Sequence, residues 1–331
     1  NPMLCYSRME VFMKPGKAFE ILVKQILLAI GFSEVHSDGL YIFDGAPGQM
    51  IQGLGEAHNA DVLLEPPVQT PFYSSTRLLV ECKDYQRRIG LNTVRSILGL
   101  REDINHFEIL DINELTARRA NRRSAITYNY IRYSYQVAIA SLSGFTGPAQ
   151  KFAATHRIPL IEFNKLPFWE AFLEVMQRSR PEFSIARCYD NLRSEYSDVE
   201  IEEDIIQLAN SIGENMAVAI TNSGQMLFLY RTSGNRTDFQ NEYSIYWQNS
   251  KGPWELRTGD SRFVFQLPTD IAKIWLSNSS NEIEMRKEAI NCKQNYLSSM
   301  VVYYREYGRP MIKMISINQS ALREAKQRLR D

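Results

Sequence analysis

Three chemically active side chains stand at the ends of two apolar runs between residues 61 and 83. Asp61 precedes the run Val-Leu-Leu, and Glu81-Cys82-Lys83 follows the run Leu-Leu-Val. Prolines between the runs are typical of two strands joined by a loop. Because residues i and i+2 of a strand project from one face, Glu81 and Lys83 should share a face, with Cys82 on the other. A neighbouring first strand would add Asp61 to the group.

This grouping of charges suits chemistry at a phosphate. Hard divalent cations such as Mg²⁺ bind oxygen ligands, commonly one or two carboxylates together with waters and phosphate oxygens. A metal ion on Asp61 and Glu81 would lower the pKa of a bound water and neutralise charge on a phosphodiester. Lys83 could orient or deprotonate that water, or offset charge in the transition state. The alternative is a salt bridge at a strand end, since Glu-x-Lys alone is a weak motif.

Three more segments accompany these residues in a fixed order: Gly-Lys-Ala-Phe-Glu at 16–20, Ser-Leu-Ser-Gly-Phe-Thr at 141–146 and Ile-Pro-Leu-Ile-Glu at 158–162. Together with Asp61 and the Glu-Cys-Lys motif, this series resembles the PD-(D/E)xK nuclease superfamily and its Mrr-type restriction endonuclease branch. The resemblance covers roughly residues 14–165. Ala60 departs from it, because the superfamily name has proline there, and the Gly-rich approach at 53–59 matches only loosely.

The resemblance implies a Mg²⁺-dependent endonuclease that hydrolyses DNA phosphodiester bonds in a restriction system, with Mn²⁺ as a substitute metal. Asp61 and Glu81 would hold the metal, the Cys82 carbonyl would add a ligand, and Lys83 would act on the water. Glu20 would complete the acidic cluster, and its alternative is an ion pair on a solvated helix face. Two other functions stay open: a catalytically silent DNA-binding or assembly module on the same fold, and an RNA-directed nuclease.

The bulk properties are typical of a soluble globular protein. The chain has 331 residues, 44% of them apolar, and its 38 basic residues balance 38 acidic ones. No apolar run approaches the roughly 20 residues of a membrane span, and neither glycine-rich nucleotide motif occurs, so we expect no membrane and no nucleotide cofactor. The four cysteines are scattered without metal-ligand spacing, which favours reduced thiols and a cytoplasmic location.

Zero net charge means that a nucleic-acid interpretation must rest on local charge. Six of the arginines that follow the Glu-Cys-Lys motif stand in clusters, four of them just before a run of alternating tyrosines: Arg87, Arg88, Arg118, Arg119, Arg122 and Arg123. Arginines contact phosphates and aromatic side chains stack on bases, so we expect these arginines to bind DNA. The alternative is a solvated basic face. A lone histidine such as His58, three residues before the predicted ligand Asp61, is more often structural than catalytic.

The predicted fold class is α/β: a restriction-endonuclease-like mixed sheet flanked by helices, followed by a smaller α+β domain. We assign residues 1–183 to the nuclease domain and 184–331 to a C-terminal domain for recognition or oligomerisation, which allows a homodimer. The junction precedes an acidic stretch at 195–204. Helical spacing predicts the first helix at 14–31, and Asn92 is the expected N-cap of the next helix.

Overall fold

The structure is a computed structural model that describes residues 16–46, 48–69, 74–85, 87–108, 132–166, 168–179, 198–234, 239–247, 254–277 and 281–329. Its α-helices are α1 (Lys17–Ile30), α2 (Leu91–His106), α3 (Gly147–Thr155), α4 (Trp169–Ser179), α5 (Asp198–Gly213), α6 (Thr269–Trp275), α7 (Glu282–Asn295) and α8 (Gln319–Gln327). None of these described helices combines the length and apolar character needed to cross a bilayer. The helix predicted at 14–31 is present as α1.

The strands in the same segments are β1 (Ser33–Glu34), β2 (Ile42–Gly45), β3 (Gly48–Gln52), β4 (Ala57–Asn59), β5 (Val62–Glu65), β6 (Ser75–Lys83), β7 (Tyr133–Ser141), β8 (Leu160–Glu162), β9 (Met216–Thr221), β10 (Met226–Ser233), β11 (Glu242–Trp247), β12 (Trp254–Thr258), β13 (Ser261–Phe265), β14 (Ser299–Glu306) and β15 (Arg309–Ile317). They form a five-stranded sheet of order β1-β5-β6-β7-β8, a small sheet of order β2-β3-β4 and a closed barrel. We call residues 16–179 the sheet unit.

The five-stranded sheet is mixed. β5 pairs antiparallel with β1 and β6, whereas β6 with β7 and β7 with β8 are parallel pairs. A parallel pair needs a crossover connection, usually a helix, and α2 and α3 are the helices of the two crossovers. The α/β class and the mixed sheet are therefore as predicted.

Alternate residues of the central strands face opposite cores. The face toward α1, here called the α1 face, is formed by Val62, Leu64, Leu78, Val80, Ala138 and Ala140. The face toward α2 and α3, here called the α2 face, is formed by Leu63, Leu79, Val137 and Ile139. Because strands buried on both faces read as continuous apolar runs, this arrangement explains the two leucine- and valine-rich runs in the sequence.

The small sheet closes the α2 face. Its three strands are antiparallel neighbours, and Ile42 and Ile51 are buried in the same core as Ile97 and Ile104 of α2. The chain then passes directly from β4 into β5, so the position of this sheet against α2 fixes the entry to Asp61.

The barrel follows the strand order β10-β13-β12-β11-β15-β14-β9, and the β9–β10 hairpin closes the ring. Its interior contains large side chains that are fully buried, among them Phe239, Tyr243, Phe263 and Phe265. A closed barrel removes the exposed sheet edges that an open sheet must protect. The predicted α+β domain is therefore a β-barrel accompanied by α6, α7 and α8.

Helix α5 connects the sheet unit to the barrel. Three of its residues are buried in the α1-face core: Ile205, Ala209 and Ile212. Met216 and Phe228 of the barrel join that core. The predicted junction at 183/184 lies outside the described residues. Helix α5 follows that junction in the sequence. It nevertheless packs against α1, the first helix of the sheet unit.

The predicted N-cap of α2 is wrong. The helix begins at Leu91, and Gly90 occupies the N-cap with an extended backbone at φ −88° and ψ 172°. Glycine is itself an acceptable N-cap residue, so Asn92 lies within the first turn instead.

Candidate active site

The β5–β6 pair brings together the residues that the sequence singled out. Asp61 directly precedes β5, whose antiparallel pairing sets it beside the end of β6. The amide N–H of Cys82 donates a hydrogen bond to Asp61 Oδ2 at 2.8 Å. Asn59 Nδ2 donates to Asp61 Oδ1 at 3.2 Å. Each carboxylate oxygen thus has one protein donor, and lone pairs remain for a further ligand.

The three last residues of β6 alternate between the two faces, as their strand spacing predicts. Glu81 and Lys83 line a cleft on the α2 face, whereas Cys82 packs against the α1-face core. Burial raises the pKa of the Cys82 thiol, and the charges of Asp61 and Glu20 raise it further. The thiol is therefore protonated at neutral pH, which leaves only the Cys82 carbonyl for the predicted ligand role.

Glu81 and Lys83 form an ion pair in which 13% of the Glu81 side chain and 20% of the Lys83 side chain are exposed. Burial raises the pKa of Glu81, the charge of Asp61 adds to the shift, and Lys83 opposes it. Burial alone would lower the pKa of Lys83, but the charge and hydrogen bonding of Glu81 outweigh it and raise that pKa. Lys83 is therefore an ammonium at neutral pH.

Glu20 borders the same cluster from α1. Its side chain forms an ion pair with Lys17 at 3.0 Å and is 25% exposed. Burial raises the pKa of Glu20; the hydrogen bond and charge of Lys17 lower it, and the charge of Asp61 raises it. Asp61 is thus one of the charges that Glu20 senses, although Glu20 does not line the cleft.

The donor set at the end of β6 fits a hard divalent cation. In the part of the chain that the structure describes, no group of three or more His, Cys, Asp or Glu side chains is arranged to hold a metal ion. Mg²⁺ commonly uses one or two carboxylates and completes its shell with waters and phosphate oxygens. Asp61 and Glu81 supply that number. The charge of Asp61 adds to the effect of burial in raising the pKa of Glu81, and a cation between the two carboxylates would relieve that repulsion.

A cleft of about 780 Å³ opens beside Glu81 and Lys83. The loop 53–56, β4 and the polar face of α2 form its other walls, through Gly55, Glu56, His58, Asn92, Thr93, Ser96, Ile97, Gly99, Leu100 and Asp103. The two ionic groups of β6 therefore face a space large enough for a nucleotide-sized substrate rather than a closed core.

Asp103 of α2 organises the wall opposite β6, and no motif in the sequence singled it out. Its Oδ1 accepts a hydrogen bond from the Gly55 amide at 2.8 Å, and its Oδ2 lies 2.7 Å from His58 Nε2. The Leu54 amide donates to the Asp103 carbonyl at 3.1 Å. The hydrogen bond from His58 is the main reason why the pKa of Asp103 is lowered. Only the folded loop reveals this role, because its partners lie 45 or more positions away along the chain.

Gly53 shows how tightly the loop closes on Asp103. A Cβ at residue 53 would lie 2.1 Å from Asp103 Oδ2, which no side chain tolerates. The loose Gly-rich approach to Asp61 thus has a local purpose, because only glycine allows the loop to bring His58 against α2.

The predicted DNA-binding arginines divide into two sets. Arg87 and Arg88 are exposed in the connection between β6 and α2, and Ser143 Oγ donates to the Arg87 carbonyl at 2.7 Å. Their side chains do not line the cleft. The other four lie outside the described residues: Arg118, Arg119, Arg122 and Arg123.

Comparisons with protein families and with curated proteins found no match for this sequence. A solved structure titled "Crystal Structure of Protein of Unknown Function AF1548" aligns with 59% of this chain and 98% of its own, at 12% identity and a TM-score of 0.30. Similarity at that level carries no argument about fold or function, so the proposal below rests on the residues themselves.

Proposed function

We propose that this protein is a Mg²⁺-dependent endonuclease that hydrolyses DNA phosphodiester bonds, with Mn²⁺ as a substitute metal. One observation carries the proposal: Glu81 and Lys83 line an open cleft at the end of β6 while Asp61 is hydrogen-bonded to the amide between them. A carboxylate pair beside an ammonium at a strand end is the arrangement that the Glu-Cys-Lys motif predicted from the sequence.

Each side chain has a defined task in this proposal. Bound Mg²⁺ would supply positive charge at the phosphate and lower the pKa of a coordinated water. Asp61 and Glu81 would hold the ion, and the Cys82 carbonyl would add a further oxygen. Lys83, an ammonium held by Glu81, offsets negative charge that develops on the phosphate rather than removing a proton. Glu20 completes the acidic cluster from α1.

Several further properties belong to the same proposal. The mixed sheet covered by helices on both faces supports a restriction-endonuclease-like fold for the sheet unit. The resemblance of the sequence motifs adds a role in a restriction system, in the cytoplasm. Exposed Arg87 and Arg88 would contact DNA phosphates, and the four arginines at 118–123 would extend that surface. The barrel would provide recognition or a homodimer contact.

The test is cleavage of supercoiled plasmid, methylated and unmethylated, with Mg²⁺, Mn²⁺ or a chelator. We expect metal-dependent cleavage by the wild type and losses of about 10²–10³-fold or more in Asp61→Asn, Glu81→Gln and Lys83→Ala. Glu34→Gln is the matched control, because Glu34 is an exposed carboxylate paired with Lys24 at 3.0 Å in the same sheet. Cleavage by Lys83→Ala at the wild-type rate would contradict the assignment of this cluster as the nuclease active site.

The same experiment separates the alternatives. A labelled RNA of the plasmid sequence tests the RNA-directed nuclease, which would cleave RNA in preference to DNA. A catalytically silent module would bind DNA without cutting it under any metal condition. Calorimetry with Mn²⁺ adds a reading that needs no cleavage: binding should be weaker in Asp61→Asn than in the wild type and unchanged in Glu34→Gln.

A further inference from the structure

Hydrolysis of a phosphodiester needs a group that accepts a proton from the attacking water. In the proposed function Lys83, held in its ion pair with Glu81, offsets charge on the phosphate. Asp61 and Glu81 are the proposed ligands of the metal ion, so the lone pairs that their protein donors leave free would be taken by that ion. Glu56 also lines the cleft, but its side chain is exposed.

His58 has the geometry of the missing acceptor. It lines the same cleft as Glu81 and Lys83, and its Nε2 lies 2.7 Å from Asp103 Oδ2. A carboxylate only accepts hydrogen bonds, so in the neutral ring Nε2 carries the hydrogen and Nδ1 keeps its lone pair. Nδ1 has no hydrogen-bond partner among the residues that the structure describes. Asp103 is itself fixed by the amides of the loop 53–56, so the pair is rigidly held.

We propose that His58 is the catalytic base of this site, positioned by Asp103; the inference rests on the proposed function and deepens it. The water oxygen bonds to phosphorus, and one water proton passes to His58 Nδ1. The bond from phosphorus to the leaving sugar oxygen breaks, and that oxygen keeps the electron pair and takes a proton from solvent. His58 then releases its proton to solvent, and the Asp103 carboxylate stabilises the ring while it is charged.

A purely structural histidine would have the same contact with Asp103, because that contact also ties β4 to α2. The two roles differ in what a substitution changes. Loss of an anchor lowers stability and weakens substrate binding, whereas loss of a base lowers the rate at saturation and leaves binding intact.

Single-turnover cleavage with excess protein distinguishes a catalytic base from a structural anchor. We expect His58→Gln to lower the maximal rate about 10²–10⁴-fold, with less than about a twofold change in the half-saturating protein concentration. Added imidazole should restore part of the rate to His58→Ala. The matched control is His106→Gln, because His106 is exposed at the end of α2 and, among the residues that the structure describes, has a hydrogen bond only with the Glu102 carbonyl, at 2.6 Å.

A second measurement needs no activity. Nitrogen-detected NMR of the metal-free protein should show His58 as the Nε2–H tautomer, and Asp103→Asn should remove that preference. A wild-type rate in His58→Gln, a lower melting temperature without imidazole rescue, or the Nδ1–H tautomer each overturns the inference while the nuclease proposal stands. Absence of metal-dependent cleavage by both the wild type and His106→Gln overturns the proposed function and this inference together.

Discussion

The two faces of the five-stranded sheet use the same strands for different purposes. On the α1 face the apolar alternation runs to the end of β6, where Cys82 packs against the core. On the α2 face the alternation ends at Leu79, and Glu81 and Lys83 continue it into an open cleft. The comparison suggests a division of labour: packing on one face fixes the strand end, so that Glu81 on the other face can be held where burial and the charge of Asp61 raise its pKa.

The largest expected effect on stability comes from a cavity in the core on the α1 face. Phe163 is fully buried where the sheet unit meets the barrel, with ring centroids 5.2 Å from Phe19 of α1 and 5.7 Å from Phe228 of β10. Phe163→Ala should lower the free energy of unfolding by about 3–5 kcal/mol, because it removes a large side chain from a closed core. Urea denaturation followed by circular dichroism measures the loss.

Phe152 on the other face provides the matched control. It is only partly buried and packs in the α2-face core, so Phe152→Ala should cost clearly less than Phe163→Ala. Phe163→Leu keeps more side-chain volume, so its loss of unfolding free energy should lie between those of Phe163→Ala and Phe152→Ala. This variant preserves the test if Phe163→Ala does not fold. Equal losses in the two alanine variants would contradict the idea that the α1 face supplies the main support.

A smaller change in stability is expected when alanine replaces either of two helical glycines, one on each face of the sheet. A Cβ at Gly213 of α5 would lie 2.3 Å from Ala29 Cβ, whereas a Cβ at Gly99 of α2 would meet nothing within 4 Å. Gly213→Ala should therefore force α5 from α1 and destabilise the fold by about 1–3 kcal/mol. Gly99→Ala should stabilise it by about 0.5–1 kcal/mol, because alanine is favoured over glycine inside a helix.

Thermal unfolding of the two variants gives the comparison directly, since opposite signs are expected. Stability is the right measure, because Gly99 lines the cleft and its substitution also touches the site. A rise in melting temperature for Gly213→Ala would mean that α1 and α5 are not in close contact, and the support that α5 gives to the α1 face would then be much weaker.

Local patterns account for the parts of the fold that the sequence predicted. The helical spacing of apolar residues predicts α1, and the alternation along β6 predicts that Glu81 and Lys83 share a face opposite Cys82. Each depends on residues within about one turn or two strand positions of one another. The proximity of Asp61 to Cys82 could also be predicted, because a single antiparallel connection joins β5 to β6.

Long-range pairing accounts for what the sequence did not reveal. Closure of the barrel needs β9 to pair with β14 and β11 to pair in parallel with β15, and neither contact leaves a local signature. Asp103 looks like any charged residue of an amphipathic helix until the loop 53–56 folds onto it. The role of α5 was hidden in the same way, because its acidic start gives no sign that Ile205 and Ile212 pack against α1.

The smallest expected effect concerns Glu20, the predicted site residue that belongs to α1. Its pKa is raised above the ordinary value of 4.5, chiefly by burial and against the pull of Lys17. A raised pKa in the folded state means that the protonated form folds more favourably than the charged form. The stability contributed by Glu20 is therefore complete below the ordinary pKa and is lost as the pH rises through the raised value.

Glu20→Gln should consequently raise the melting temperature slightly at about pH 7.5 and change it little at about pH 4, where Glu20 is largely protonated. The gain is small because a quarter of the side chain is exposed and solvent screens its charge. Glu34→Gln, which changes an exposed carboxylate paired with Lys24, should show no such pH-dependent gain. A lower melting temperature for Glu20→Gln at about pH 7.5 would show that the ion pair with Lys17 outweighs the cost of burial. In that case Glu20 would belong with the stabilising ion pairs of α1, and the repulsive cluster would be confined to Asp61 and Glu81.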